Sequence, residues 1–266
     1  AGYGSIGQYV AELFGGSHDL VIADPPKGIG RIEDLNDTDF TFICVPTPGQ
    51  PDGGCDTSIV EEVATRVHPR RALICHSTLA IGTTERLIAA SGTPLVYVPQ
   101  YAGESPDHHY RQRENLDFLI LGGYDPAASA VQALFRSVLG DGVQQTIVPP
   151  TAAEITKYME NAFLALKVAF CNEFYDLTRA FGVDYETVRR LWLLDHRINP
   201  SHTQVTPERG YGGRCLPKDV DAVCRTGRET GTPLEIMETV QRMNAHRRRT
   251  AADGAREPAL SEAAAG

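Results

Sequence analysis

The chain has 266 residues, a formal net charge of -9, 42% hydrophobic residues and 22% charged residues. That length buries a substantial core and excludes disorder throughout, and no apolar run approaches the roughly 20 residues a membrane-spanning helix needs. The acidic balance repels phosphodiester backbones, so nucleic acid is excluded as a default partner, although a local basic pocket for one anionic small molecule remains compatible with it.

The first seven residues, AGYGSIG, place Gly2, Gly4 and Gly7 in a G-x-G-x-x-G pattern. A helical pattern from Ile6 to Phe14 follows, and then an apolar run, DLVIAD, that reads as a strand ending at Asp24. Glycines permit a tight turn, and the helix start at Ser5, Ile6 and Gly7 offers unpaired N–H groups and a positive dipole to a pyrophosphate. Asp24, about 20 residues on, is placed to accept the adenosine ribose hydroxyls, which points to NAD rather than NADP. A bare glycine turn is the alternative. The fingerprint should follow a strand and only Ala1 precedes it, so the expectation is a truncated Rossmann domain without its central first strand.

Further strands are predicted over Phe40 to Pro46, Ala72 to Ser77, Leu95 to Gln100 and Asp117 to Gly123. Between them lie helical patterns over Ser58 to Val67, Thr84 to Ala90 and Pro126 to Leu139. Alternation of this kind predicts an α/β fold: a doubly wound, mainly parallel sheet with helices on both faces and its ligand crevice beyond the strands' carboxyl ends. The loops after Val45, His76 and Val98 are therefore site loops.

After Pro149-Pro150 the pattern changes to one long helix, with Thr151-Ala152-Ala153-Glu154 as an expected capping box and an end near Gly182. Apolar residues at Ile155, Met159, Ala162, Phe163, Leu166, Phe170, Phe174 and Leu177 make a stripe too wide for a surface helix, so heavy burial and packing against a second subunit are expected. Shorter helices are predicted over Tyr185 to Asp195, Lys218 to Thr230 and Pro233 to Asn244. The layout is a nucleotide-binding domain over 1–150, a helical dimerisation and catalytic domain over 151–249, and a disordered tail over 250–266.

Downstream of the long helix comes GYGGRCLPKD, Gly210 to Asp219. Glycines free backbone N–H groups to approach an anion, and a cysteine just before a helix start gains thiolate character from the dipole and neighbouring cations. A glycine-rich turn with a structural cysteine is the competing reading. The six cysteines are dispersed, with no C-x-x-C pair and no secretory signal, which fits a reduced cytoplasm; Cys44 and Cys75 sit in apolar runs as inert thiols.

GYGGRCLPKD resembles the catalytic loop of the UDP-glucose/GDP-mannose dehydrogenase family. ICVPTP, HSTLAIGTT, EITKYMENAFLALKVAFCNEF and LDHRINPSH resemble that family's cofactor loops, central helix and substrate loop in the same order. The resemblance implies a four-electron oxidation of a sugar C6 alcohol to a carboxylate, with two NAD molecules and a thioester on Cys215. By the same resemblance Lys157 and Asn161, one turn apart on a helix, stabilise an oxyanion. Asp219, with the lysine and a water, helps take the alcohol proton, and Thr78 stands near the reacting carbon. Val45, Pro46, Thr47, Ser77 and Lys218 join the cofactor set. Gln100, Tyr101, Glu104, Tyr211, Gly212 and Gly213 join the substrate set, and Arg197 reaches a sugar nucleotide, across a dimer in one arrangement. No metal is implied.

Two departures bear on activity. Gln100 replaces the family's first glutamate, which is implicated in activating water for thioester hydrolysis, while Glu104 keeps the second acid position. The segment from Pro25 to Asp39 is short for a parallel crossover, and the chain stops where a second nucleotide-binding domain is expected. These support one rival reading, a noncatalytic cofactor-binding or dimerisation remnant or a fragment; a second rival is a β-hydroxyacid dehydrogenase, which also pairs a Rossmann domain with a helical Lys-x-x-x-Asn but needs no thiol, so Cys215 in its glycine loop argues against it.

Overall fold

A computed structural model describes residues 1–102 and 109–254. The chain forms two compact units that part between Lys157 and Tyr158, a few residues beyond the boundary expected at 150.

The first unit opens with α1 (Ser5–Phe14), followed by β1 (Phe40–Ile43), α2 (Ser58–Arg66), β2 (Ala72–Cys75), α3 (Thr83–Ser91) and β3 (Leu95–Tyr97). It continues through β4 (Phe118–Gly122), α4 (Ala127–Leu139) and β5 (Gln144–Val148). The sheet order is β1-β2-β3-β4-β5. β1, β2 and β3 run parallel, β4 meets β3 antiparallel at Tyr97 and Gly122, and β5 is parallel to β4.

Because successive strand residues face opposite sides, β2 splits its apolar residues between two cores. Ala72 and Ile74 join Tyr9, Val10 and Phe14 of α1 and Val131 and Phe135 of α4. Leu73 and Cys75 join Val60 and Val63 of α2, Leu87 of α3 and Ala153. Helices thus cover both faces, as the strand-helix alternation predicted.

Two expectations for this unit are corrected. DLVIAD forms no strand among the described residues: its backbone bonds there include Gly2 N donating to Ala23 O (2.8 Å), Lys27 N donating to Asp24 O (2.9 Å) and an isolated bridge between Asp24 and Ile29. With no neighbour to form a ladder against Leu20 and Val21, both remain exposed, at 42% and 49%. β5, whose Gln144-Gln145 start gave it no apolar periodicity, went unrecognised in the sequence and is ordered by full pairing with β4.

The second unit is helical. α5 (Pro150–Ala180) begins in the first unit and is followed by α6 (Tyr185–Trp192), α7 (Leu216–Glu229) and α8 (Glu235–Gly254). Its core gathers Ala162, Ala165, Val168 and Ala169 of α5 with Tyr211, Val220, Cys224, Met237 and Val240. α8 runs through 250–254, where the sequence reading began a tail; alanine-rich sequence propagates a helix already nucleated by packing. Residues 255–266 lie outside the described set.

Most of the apolar stripe of α5 is not buried within the chain, although Ala162 is 8% exposed and Leu166 packs against the helical core. Ile155, Met159, Phe163, Phe170, Phe174 and Leu177 are 42–73% exposed. The buried face carries instead the small residues of the core together with Glu154, Lys157, Asn161 and Asn172. No helix among the described residues is long and apolar enough to cross a membrane.

Candidate active site

The glycine fingerprint is built as a cradle. Gly2 has φ +83°, and a Cβ there would lie 2.6 Å from Cys44 O; a Cβ on Gly7 would lie 2.1 Å from Gly2 O. Both positions therefore require glycine. At Gly4, the N-cap of α1, a Cβ would meet nothing within 4 Å, and no side chain caps the helix. The first amides of α1, at Ser5, Ile6 and Gly7, accordingly face room for an anion. Asp24 Oδ2 accepts from Tyr3 N at 2.8 Å, tying the acid to the fingerprint turn. Lys27, absent from the sequence reading, sits 3.7 Å from the same oxygen and donates to Tyr3 O at 2.7 Å. Open glycine, free helix amides and terminal acid fit the pyrophosphate and ribose of NAD.

The loops after β1 and β2 are bonded to each other. Ser77 Oγ donates to Val45 O at 2.7 Å, and the Cys55 thiol lies 3.8 Å from Thr47 O and 3.6 Å from Thr78 O. Thr47 is buried and Pro46 exposed. His76, whose ring bonds Val98 O at 2.7 Å, is held neutral: burial pushes its pKa down to about 4.

Glu154, expected in a capping box on its own helix, instead caps α3. Its carboxylate accepts from Gly82 N (2.5 Å), Thr84 N (2.9 Å) and Thr84 Oγ1 (2.6 Å). Gly82 is α3's N-cap with φ +88°, so the negative charge meets that helix's positive end. Burial nevertheless raises the carboxyl's pKa, against the pull of those bonds.

Near the start of α5, Lys157 Nζ donates to Gln100 O at 3.0 Å and lies 4.5 Å from the Tyr101 ring centroid. The Gln100 amide is folded back, with Oε1 accepting from Tyr101 N (2.8 Å) and Ala102 N (3.0 Å). Glu104 lies outside the described residues.

In the helical unit Cys215 is the N-cap residue of α7 and, of the six cysteines, the exposed one. Tyr211 is buried, Gly212 is half-buried, and Gly213 is exposed with φ +76°. One turn into α7, Asp219 is 1% exposed and both its oxygens are engaged: Oδ1 by Lys218 Nζ at 2.6 Å, Oδ2 by Asn161 Nδ2 at 2.5 Å. The ion pair and the amide satisfy both oxygens of a carboxyl that would otherwise be buried without partners. Arg197 stands apart from this group, its side chain 87% exposed and paired with Asp195 at 2.5 Å. Buried asparagines at Asn172 and Asn244 escaped the sequence reading; their signal was a short polar amide inside a helical pattern, where such residues are poor formers.

Fold and cradle together define a Rossmann-type dinucleotide-binding protein joined to a cysteine-bearing helical unit. Residues 31–137 match the UDP-glucose/GDP-mannose dehydrogenase family, NAD binding domain, and residues 151–246 match that family's central domain. The chain belongs to the UDP-glucose/GDP-mannose dehydrogenase family, and NAD is the cofactor its first unit is built to hold. It is 31% identical to a UDP-glucose 6-dehydrogenase of Rhizobium meliloti over 80% of this chain and 51% of that protein. It is 25% identical to a GDP-mannose 6-dehydrogenase of Pseudomonas aeruginosa over 82% of this chain and 53% of that one. Among solved structures, a UDP-glucose dehydrogenase of Pyrobaculum islandicum superposes with a TM-score of 0.70 at 29% identity, covering 81% of this chain and 52% of the other. The chain thus spans about half the length of the relatives it matches.

Proposed function

We propose that this chain serves the oxidation of a nucleotide sugar at C6, from alcohol to carboxylate, through a thioester on Cys215. The observation that carries the reading is the exposed Cys215 at the N-cap of α7, directly after a glycine-rich loop and within the stretch matched to the family's central domain. A helix N-terminus favours thiolate over thiol.

Bound NAD would supply the hydride acceptor for each of two oxidations. In the first, Asp219 and Lys157, through a water, take the hydroxyl proton while C6 loses hydride and becomes an aldehyde. The Cys215 thiolate adds to that carbon, and the resulting oxyanion is met by the ammonium of Lys157 and the amide of Asn161. Loss of a second hydride leaves a thioester. Water then adds at the acyl carbon, the C–S bond breaks, and carboxylate and thiolate are released. Thr78, Ser77, Val45, Pro46, Thr47 and Lys218 serve the cofactor side in this reading, and Tyr101, Tyr211, Gly212, Gly213, Arg197 and Glu104 the sugar-nucleotide side.

The exposed stripe of α5 supports a homodimer formed through that helix. A noncatalytic cofactor-binding module remains the second reading, favoured by Gln100, whose side-chain oxygen is committed to its own loop. Intact-mass analysis after mixing the chain with NAD and a panel of UDP- and GDP-hexoses separates the two. A sugar-nucleotide adduct on Cys215 with stoichiometric NADH is expected for the enzyme; no NADH and no adduct with any substrate leaves the binding module.

A further inference from the structure

The loop that presents Cys215 is short, glycine-rich and solvent-facing, yet its first half is fixed by contacts that none of the roles above explains. Tyr211 N donates to Asn244 Oδ1 at 2.7 Å, and Asn244 Nδ2 donates back to Tyr211 O at 3.0 Å. One side-chain amide thereby pairs with both backbone groups of a residue, as a neighbouring β-strand would. Asn244 is 8% exposed and Tyr211 4%, so both bonds form away from competing water. The approach is tight: Gly210 has φ +70°, and a Cβ there would stand 2.3 Å from Asn244 Oδ1.

The residue before is fixed from the other side. Arg209, at φ +51°, holds a left-handed conformation that disfavours a side chain. Its Nε donates to Asn172 Oδ1 at 2.7 Å, its Nη2 to Asp176 Oδ1 at 2.6 Å, and its guanidinium lies 4.5 Å from the Tyr175 ring centroid. Asn172, 1% exposed, turns its Nδ2 to Val168 O. Downstream, Asp219 is locked by Asn161 and Lys218. Gly212, Gly213, Arg214 and Cys215 connect these two anchored ends; Arg248 lies close against Gly212, and Gly213 at φ +76° sets the bend.

We propose that Asn244 is a positioning residue for Cys215: its amide clamps the main chain of Tyr211 and so holds the cysteine at the N-cap of α7. The inference rests on Cys215 being the reactive group of the Proposed function. Two glycines give this stretch a backbone freedom that a clamp on Tyr211 reduces. A cysteine held at a helix N-cap keeps the helix's positive end within reach of its sulfur, whereas one released into solvent returns to the ordinary thiol range, around 8.5. Cys215 is already exposed, so release gains it no access to reagent.

The test is the rate of Cys215 alkylation by iodoacetamide against pH, read by peptide mapping in the full chain. Cys44 and Cys75 are buried with burial-raised thiols and do not compete below pH 8. Expected are a wild-type midpoint below the ordinary value and an Asn244→Ala midpoint at least one unit higher, with about a tenfold slower reaction at a pH below both. Asn244→Asp keeps the acceptor for Tyr211 N and loses the donor to Tyr211 O, so it falls between them and serves if the alanine variant does not fold. Val240→Ala is the control: Val240 is 3% exposed in the same core as Tyr211, and its truncation lowers Tm without moving the midpoint. An ordinary wild-type midpoint, an unmoved midpoint in both Asn244 variants, or an equal shift in Val240→Ala overturns the clamp. The assay uses neither sugar nor NAD, so the clamp and the proposed reaction fail or stand separately.

Discussion

Asn161 on α5 donates from Nδ2 to Oδ2 of Asp219 on α7 across 2.5 Å, joining two helices through a carboxylate that is 1% exposed. Both residues were singled out for chemistry, and their contact is also structural. Removing the amide strands one carboxylate oxygen in the core, at a cost of about 1–3 kcal/mol. Asn161→Ala should lower stability by that amount in urea denaturation. Asn161→Asp should lower it further, because two carboxylates would then share the space. Equal stability of Asn161→Asp and wild type would show that the contact between Asn161 and Asp219 contributes nothing to stability.

The position of Gln100 bears on the second half-reaction. Its Oε1 receives Tyr101 N and Ala102 N, and a neutral amide takes no proton from water at working pH. General-base assistance is typically worth about 10²- to 10⁴-fold, so in a chain that turns over, thioester hydrolysis should be the slow step and an acyl-enzyme should accumulate after a burst of NADH. Gln100→Glu should shorten the adduct's lifetime and leave the burst amplitude unchanged. Steady turnover with no burst, unaltered by the substitution, would mean that another group orients the water.

Asp24 predicts preference for NADH over NADPH, since a ribose 2′-phosphate would face its carboxylate. Lys27, 3.7 Å from Asp24 Oδ2, moderates that repulsion. The preference should be about tenfold, or about 1.4 kcal/mol, in a fluorescence titration. Lys27→Ala should widen it and Asp24→Asn should narrow it; tighter binding of NADPH by the wild-type chain would remove Asp24 from this role.

His76 makes stability depend on pH. Its ring lies 5.3 Å from that of Phe42 and 6.2 Å from that of Phe135, and its pKa is pushed down to about 4 by burial. The unfolded chain therefore binds more protons between pH 6.5 and 4, so stability falls as pH drops through that window. The loss should reach about 3 kcal/mol at its lower end. Unfolding free energies at pH 7 and pH 4.5 should differ more for wild type than for His76→Leu, and identical slopes would contradict the buried neutral ring.

The exposed face of α5 should close a dimer. Met159 and Phe163 are 73% and 57% exposed, one turn apart on a helix whose other face is packed. Sedimentation should give a dimer at micromolar concentration, and Met159→Glu with Phe163→Glu should give a folded monomer. A wild-type monomer would leave the stripe without a partner of this kind.

Alternating strand and helix patterns, the glycine fingerprint and the cysteine loop were legible in the residues because each depends on local periodicity or on glycine at fixed offsets. DLVIAD has a strand's composition and forms none among the described residues, because a strand needs another backbone along its ladder. β5 is the reverse case, a polar-headed segment made into a strand by its pairing with Phe118 to Gly122.

The residues by themselves determined the class of fold and the glycines of the nucleotide cradle, and singled out Cys215 as a nucleophile candidate, since backbone freedom, helix dipoles and side-chain chemistry act over a few positions. Only the tertiary structure decided that Glu154 caps α3, that Asp219 is shared between Lys218 and Asn161, and that Asn244 grips Tyr211. Those partners are separated by 70, 1, 58 and 33 positions. Where the separation is long, the choice of partner depends on which buried polar groups packing leaves facing one another, and no local pattern records it.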